Sequence, residues 1–270
     1  VTVVDAANFF NDFGSPETLV DRQLNVSIDD DRTIVNLLTD QVEFANIILL
    51  NKIDLVTDEH LGILRSTLKK LNPSARIIES NFSKIDSSSI LHTGLFNFEE
   101  AEQNAGWIAE LNKEEHTPET EEYGIGSFVF RSSLPFDEER FWDYFNHRYP
   151  GNIIRSKGLF WIASRPDQAL IWGQAGGSIR TDSAGVWWSS MPLSRRSQHP
   201  SFLENQQEIE ANWDSTFGDR KVELVFIGQN LDEAQIRKDL AACQIPVAQL
   251  PEEWKRGWAD SWPVERASPL

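Results

Sequence analysis

Residues 46–55, NIILLNKIDL, leave few folds open to this chain, because an unbroken apolar run at 47–50 breaks into the polar tetrad Asn51-Lys52-Ile53-Asp54. Such a run suits a parallel strand covered on both faces, since neither side of it meets water. The tetrad therefore sits at the carboxyl end of a strand, the edge of an open α/β sheet where ligands collect. In that place NKxD reads as a guanine-selecting loop. The Asp54 carboxylate can accept hydrogen bonds from N1–H and the 2-amino group of guanine, the Lys52 stem can lie along the base, and the Asn51 amide can tie the loop to its neighbours. Adenine lacks that pair of donors, and a carboxylate left unpaired against it rejects it. Three fixed positions recur by chance in about one chain of this length in thirty, so the flanking elements carry part of the inference.

Those elements fit. VTVVD at residues 1–5 is a β-branched strand ending in an acid, and Asp5 is a weaker candidate neighbour of the nucleotide site. Residues 6–31 read as a polar connection. Ile34, Leu37, Leu38 and Val42 fall at helical spacing, so a β-α-β unit delivers the NKID loop. The next helix starts near Thr57-Asp58-Glu59, buries Leu61, Leu64, Leu68 and Leu71, and stops at Asn72-Pro73 before a short strand at 75–79. A phosphate loop needs Gly followed by Lys, and none of the fifteen glycines is followed by lysine. With no Met and no leading polar segment before the first strand, the expectation is a chain that begins inside a domain, with the phosphate-cradling half upstream.

The character of the chain changes after residue 97. A helix signal at 97–102 precedes NKEEHTPETEE at 112–122, which is acidic and poor in apolar residues, and all ten tryptophans lie at or beyond Trp107. We read residues 1–111 as the C-terminal portion of a nucleotide-binding domain, 112–124 as an acidic linker and 125–270 as a second domain. In that domain strands are expected at 127–131, 153–163, 169–172, 186–188 and 222–227, with helices from Pro135 through Phe145, at 206–217 and at 232–243. The order β-α-β-β-β-α-β-α suggests a small α+β sandwich with helices on one face of an antiparallel sheet.

Composition bounds the chemistry. A net charge of −17 disfavours nucleic acid and anionic membrane as partners and favours cationic metals or basic protein surfaces, though solubility alone explains it as well. The single cysteine, Cys243, excludes an internal disulfide, fits a reducing, cytoplasmic setting, and falls on the apolar stripe of the last helix as a core residue. His60, His92, His116, His147 and His199 show no ligand spacing, so no metal site is assigned within the chain. Arg155-Ser156-Lys157-Gly158 could meet phosphates or the acidic face of the first domain, or merely carry solvated basic tips. Trp187-Trp188, read as strand, puts one ring on each face.

The segments VTVVDAANF at Val1, DRTIVNLLTDQVEFANIILLNKIDL at 31–55, LNPSARI at 71–77, GLFNFEEA at 94–101, SFVFRSSLPFDEERF and IIRSKGLFWIA together resemble the CobW-like family of P-loop GTPases, in its YciC-type branch linked to zinc supply. The resemblance implies the C-terminal part of a P-loop GTPase parallel sheet followed by a CobW C-terminal domain. It implies GTP, Mg2+ and Zn2+, and hydrolysis coupled to delivery of a metal, most simply zinc, to a metalloprotein client, with a homo-oligomer left open. Of the family's functional positions, only Asn51, Lys52 and Asp54 match residue by residue. The phosphate loop, the CxCC motif and the Mg-binding strand would lie before Val1, so this chain alone is not expected to work as a GTPase. Two other functions stay open, a client-docking module and an accessory protein of cobalt insertion in cobalamin synthesis.

Overall fold

The computed structural model describes residues 1–15, 17, 21, 33–97, 106–111, 122–252 and 254–266. Three parallel strands, β1 (Thr2–Asp5), β2 (Ile47–Asn51) and β3 (Arg76–Ser80), pair in the order β1-β2-β3, with Asp5 opposite Asn51 and Asn51 opposite Ser80. The apolar run of β2 is buried throughout, as a central parallel strand demands. Helix α1 (Phe9–Phe13) was not anticipated in the polar connection; it buries Phe9 and Phe13, whose rings stack at 5.3 Å. Helix α2 (Ile34–Glu43) is capped by Thr33, whose hydroxyl accepts from Asn36 N. Its fully buried stripe is Ile34, Val35, Thr39 and Val42, so Leu37 and Leu38 fall to its margin.

Helix α3 (Asp58–Leu71) begins under a Thr57 cap and buries Leu64, Leu68 and Leu71. Asn72 closes it: the side-chain amide donates to the carbonyls of Val42, Glu43 and Ala45, and its Oδ1 accepts from Ala75 N, which locks the end of α2 to the start of β3. The helix expected at 97–102 lies almost wholly outside the described residues; a short helix α4 (Gly106–Leu111) follows it. Of the linker, only Glu122–Gly124 is described, a 3-10 turn whose Tyr123 ring lies so close to Gly62 that a Cβ there would meet it at 2.2 Å.

The second sheet is antiparallel, in the order β4-β8-β5-β6-β7. Its strands are β4 (Ile125–Ser132), β5 (Ile153–Phe160), β6 (Gln168–Ala175), β7 (Ser178–Val186) and β8 (Val222–Gln229). One face packs under helix α5 (Glu138–His147) and the last helix, α8 (Glu233–Cys243), in an aromatic core that includes Phe136, Phe141, Trp161, Trp172 and Phe226. Two sequence expectations fail here. Strand β7 stops at Val186, and Trp187-Trp188 belong to a 3-10 turn rather than a strand, because the Asp219 carboxylate caps the backbone N–H groups of Trp188 and Ser189. Trp187 is buried and donates to Gln168 O at 3.0 Å, while Trp188 is half-buried against His199 and Phe202. The connecting helix starts earlier than expected: after α6 (Leu193–Arg196), α7 runs Pro200–Ala211, with proline in its first turn, where a missing N–H costs nothing.

The other face of this sheet is covered by the half that carries β1–β3. Val129, Val225, Ile227 and Ala175 share one core with Val35, Leu64 and Leu68. Two contacts of charged side chains cross the same seam, the first of them buried. Arg155 of β5 grips Glu43 of α2, with Nε to Oε1 at 2.8 Å and Nη2 to Oε2 at 3.4 Å. Lys157 lies over the Trp107 ring at 4.6 Å, and burial holds its ammonium below the usual lysine range although Glu43 and Asp40 pull the other way. The basic run on β5 therefore meets the acidic face of the first half, one of the alternatives the sequence left open. At Gly176, where φ is 50°, an added Cβ would lie 1.9 Å from Phe13 O, so the β6–β7 hairpin approaches α1 at backbone contact.

Candidate functional site

The β1-β2-β3 sheet presents its carboxyl edge as one polar rim. Strand β2 ends at Asn51, and the chain then turns through Lys52, a non-glycine residue in the left-handed region at φ 61°, into the 3-10 turn Ile53–Leu55. That turn throws Asp54 into solvent, where its carboxylate accepts no hydrogen bond among the described residues. Its backbone is held nonetheless, since Asp54 N donates to Asn81 Oδ1 at 3.1 Å and Leu55 N donates to Lys52 O at 3.1 Å. An acceptor pair kept open on a fixed backbone is what recognition of two adjacent N–H donors requires.

Asn51 does the tying expected of its amide. Its Oδ1 accepts from Ser80 Oγ at 3.1 Å and from Ser83 N at 2.8 Å, binding the end of β2 to the loop after β3, while its carbonyl accepts from Ala6 N. Lys52 extends the other way, and its Nζ meets Asp5 Oδ2 at 2.7 Å on a half-exposed surface. Asp5 also accepts from Ala7 N and Asn8 Nδ2. Partial burial would push the Asp5 carboxyl up, but the hydrogen bonds from Lys52, Asn8 and Ala7 outweigh it and hold it below the ordinary aspartate range. Asp5 thus positions Lys52, and all four residues singled out from the sequence gather on one rim.

Sequence reasoning passed over Asn81 and Ser83. Both lie in Ser80-Asn81-Phe82-Ser83-Lys84, a polar run directly after a strand of the same parallel sheet, which is the signal that selected NKID. Elsewhere, His60, His92, His147 and His199 stay apart, and among the described residues no three His, Cys, Asp or Glu side chains converge on a metal-sized site; His116 lies outside them. His147 pairs with Asp143 at 3.0 Å. Cys243 is buried on α8, and burial pushes its thiol up to about 11. Among the described residues no helix is long and apolar enough to cross a membrane.

The family model for the CobW/HypB/UreG nucleotide-binding domain matches residues 1–79, and that for the cobalamin synthesis protein cobW C-terminal domain matches residues 125–244. The chain belongs to the CobW family. Its NKID loop and its Arg155 seam fall one in each matched segment. Among its curated relatives is the zinc-regulated GTPase metalloprotein activator 1 of Dictyostelium discoideum, 39% identical over 266 residues, which cover 96% of this chain and 55% of that protein. A zinc chaperone of Mycobacterium tuberculosis is 25% identical over 94% of this chain and 58% of its own length. The chain therefore spans a little over half the length of these relatives. A crystal structure of Zn(II)-bound YjiA GTPase from E. coli aligns over 90% of this chain and 60% of that one at 19% identity, with a TM-score of 0.31, too low to bear on the argument.

Proposed function

We propose that this chain carries the guanine-selecting loop and the C-terminal domain of a GTP-dependent metal chaperone, with zinc as the metal delivered and a metalloprotein as the client. The observation that carries the reading is the Asp54 carboxylate, open to solvent at the sheet's carboxyl edge while Asn81 and the Asn51–Ser83 bond hold the loop beneath it. The printed names of the relatives, a zinc-regulated GTPase metalloprotein activator and a zinc chaperone, support the metal. Residues 1–270 contain no Gly-Lys pair, so we assign the phosphates and their Mg2+ to residues other than these. Cytoplasmic residence fits the single thiol.

The client-docking reading of the C-terminal domain draws on one feature. Trp142 leaves 41% of its surface exposed on a cleft of about 340 Å³ rimmed by Glu138, Glu139 and Asp143. The two readings are compatible, since a chaperone needs both a nucleotide switch and a client surface.

The test varies only the base. GMP and AMP are titrated to tens of millimolar into the 15N-labelled chain, following the amides of Asp54, Asn81 and Ser83. The expected result is saturable movement with GMP and none with AMP, and loss of that preference in Asp54→Asn. Equal responses to the two nucleotides would show NKID to be only a strand-end turn.

A further inference from the structure

Strand β7 (Ser178–Val186) is the last strand of the second sheet and leaves its own outer edge open. The two-residue turn Gly176-Gly177 makes Ala175 and Ser178 the pair that hydrogen-bonds across the β6–β7 hairpin. Hydrogen-bonded pairs alternate along an antiparallel ladder, so Arg180 and Asp182 direct their backbone groups at Gly173 and Ile171. The N–H and C=O groups of Ile179, Thr181 and Ser183 point the other way. Among the described residues no hydrogen bond reaches those groups, and residues 179, 180 and 182–185 are exposed. The register shift between Ala169 and Leu170 ends the regular ladder at Ser183, so the open template is residues 179–183, IRTDS.

Edge strands are ordinarily guarded by charge, most often lysine, which repels a second strand. Here the two charges on the edge are opposite. Arg180 and Asp182 lie on one face of the strand, at 54% and 53% side-chain exposure, with Nε 2.7 Å from Oδ2. They flank Thr181 symmetrically. An antiparallel copy centred on Thr181 therefore sets Arg180 of each chain opposite Asp182 of the other, with Ile179 opposite Ser183 and Thr181 opposite itself. The charged pairs fall in non-hydrogen-bonded positions, where Cα atoms approach to about 4.5 Å and side chains meet most closely. Moving the centre by two residues, to 179 or 183, breaks both charge pairs, so the charges select one register.

We infer that the outer edge of β7 is a docking surface for a second copy of this chain, which adds its own β7 antiparallel and joins the two five-stranded sheets into one. Main-chain hydrogen bonds from residues 179, 181 and 183 hold the strands together, and the reciprocal Arg180–Asp182 pairs fix their register. A two-fold axis needs a surface that complements itself, and a positive and a negative side chain spaced evenly about one residue provide it. The inference is independent of the guanine reading of NKID and gives the homo-oligomer that the sequence left open a defined surface.

The experiment is sedimentation equilibrium of the 270-residue chain over a concentration series. At about 0.15 M salt the screening length is about 8 Å, so the net charge of −17 on each body is largely muted while contact pairs persist. The wild-type chain should approach twice the 30.8 kDa monomer mass as concentration rises. Arg180→Asp and Asp182→Arg should each raise the dissociation constant about 5- to 30-fold, because two cross-strand pairs turn from attraction to repulsion. Combining Arg180→Asp with Asp182→Arg exchanges the charges and should return the constant to near its wild-type value. Thr181→Pro removes an outward N–H that the hairpin does not use, so it should keep the far-UV circular dichroism and abolish the dimer. A wild-type chain that stays monomeric throughout would overturn the inference, as would a dimer on which the single reversals and Thr181→Pro have no effect. Should Thr181→Pro unfold the chain, the charge exchange decides alone: a combined variant that fails to recover what the single reversals lose overturns the inference.

Discussion

The Arg155–Glu43 pair offers a direct measure of how the two matched segments are joined. Both side chains are almost fully buried, at 7% and 4% exposure, with two contacts between them and a third from Arg155 Nη1 to Gln174 O at 3.2 Å. Glu43→Ala removes the carboxylate and leaves the guanidinium in the seam with one carbonyl partner. Breaking a buried pair from one side costs about 3–5 kcal/mol, because the remaining charge stays desolvated without its counter-ion. With a urea m-value of about 3 kcal/mol/M for a chain of this size, the midpoint should fall by about 1–1.7 M. The double variant Glu43→Met with Arg155→Met should recover most of that loss, since apolar groups of similar volume suit the surrounding core of Val35, Val225 and Ile227. Tryptophan fluorescence is a suitable probe because all ten tryptophans lie at or beyond Trp107. A midpoint shift in Glu43→Ala worth under 1 kcal/mol would mean that water reaches the pair and that the seam is not a continuous core.

Other parts of the molecule yield further expectations. Burial would raise the Asp260 carboxyl, but hydrogen bonds from Arg165 and Trp262 N, with the Arg165 charge, hold it below the usual range. A carboxyl lowered by folding stabilises above its unfolded pKa, and that contribution is lost as pH falls through the folded value; Asp260→Asn should therefore cost about 3 kcal/mol at pH 7, with the gap from wild type narrowing below about pH 4 in parallel denaturation curves. Cys243, its thiol raised to about 11, should resist iodoacetamide in the native chain at pH 8 and react promptly in urea, and fast native labelling would contradict its place in the core. In competition with a chelating dye, the 270-residue chain should hold zinc no more tightly than about micromolar, because its His and Cys residues show no ligand spacing; one equivalent at nanomolar affinity would require a site at His116, His147 or Cys243.

Much of the polar rim was legible because its signals are local. An apolar run of strand length, a polar tetrad after it and a capped helix next in line are written in consecutive residues. The failures have definite causes. Trp187-Trp188 carries the aromatic composition of a strand, yet a carboxylate 31 residues away in sequence, Asp219, captures the backbone N–H groups that a strand ladder would have used. Helix α1 escaped notice because five residues with two buried phenylalanines are too few to show a period.

By itself the sequence determined that the first three strands run parallel and that Asp5, Asn51, Lys52 and Asp54 lie at their carboxyl ends, since periodicity and strand-end placement are properties of neighbouring residues; it misplaced β7, which runs Ser178–Val186 and not 186–188. Tertiary structure alone decided the partners. That Asn81 and Ser83 clamp the tetrad and that Arg155 of β5 closes onto Glu43 instead of facing solvent both depend on residues 27 to 112 positions apart being brought together. Hydrogen bonds and packing act over a few ångströms of space, and no pattern along a single chain encodes which distant segments will share them.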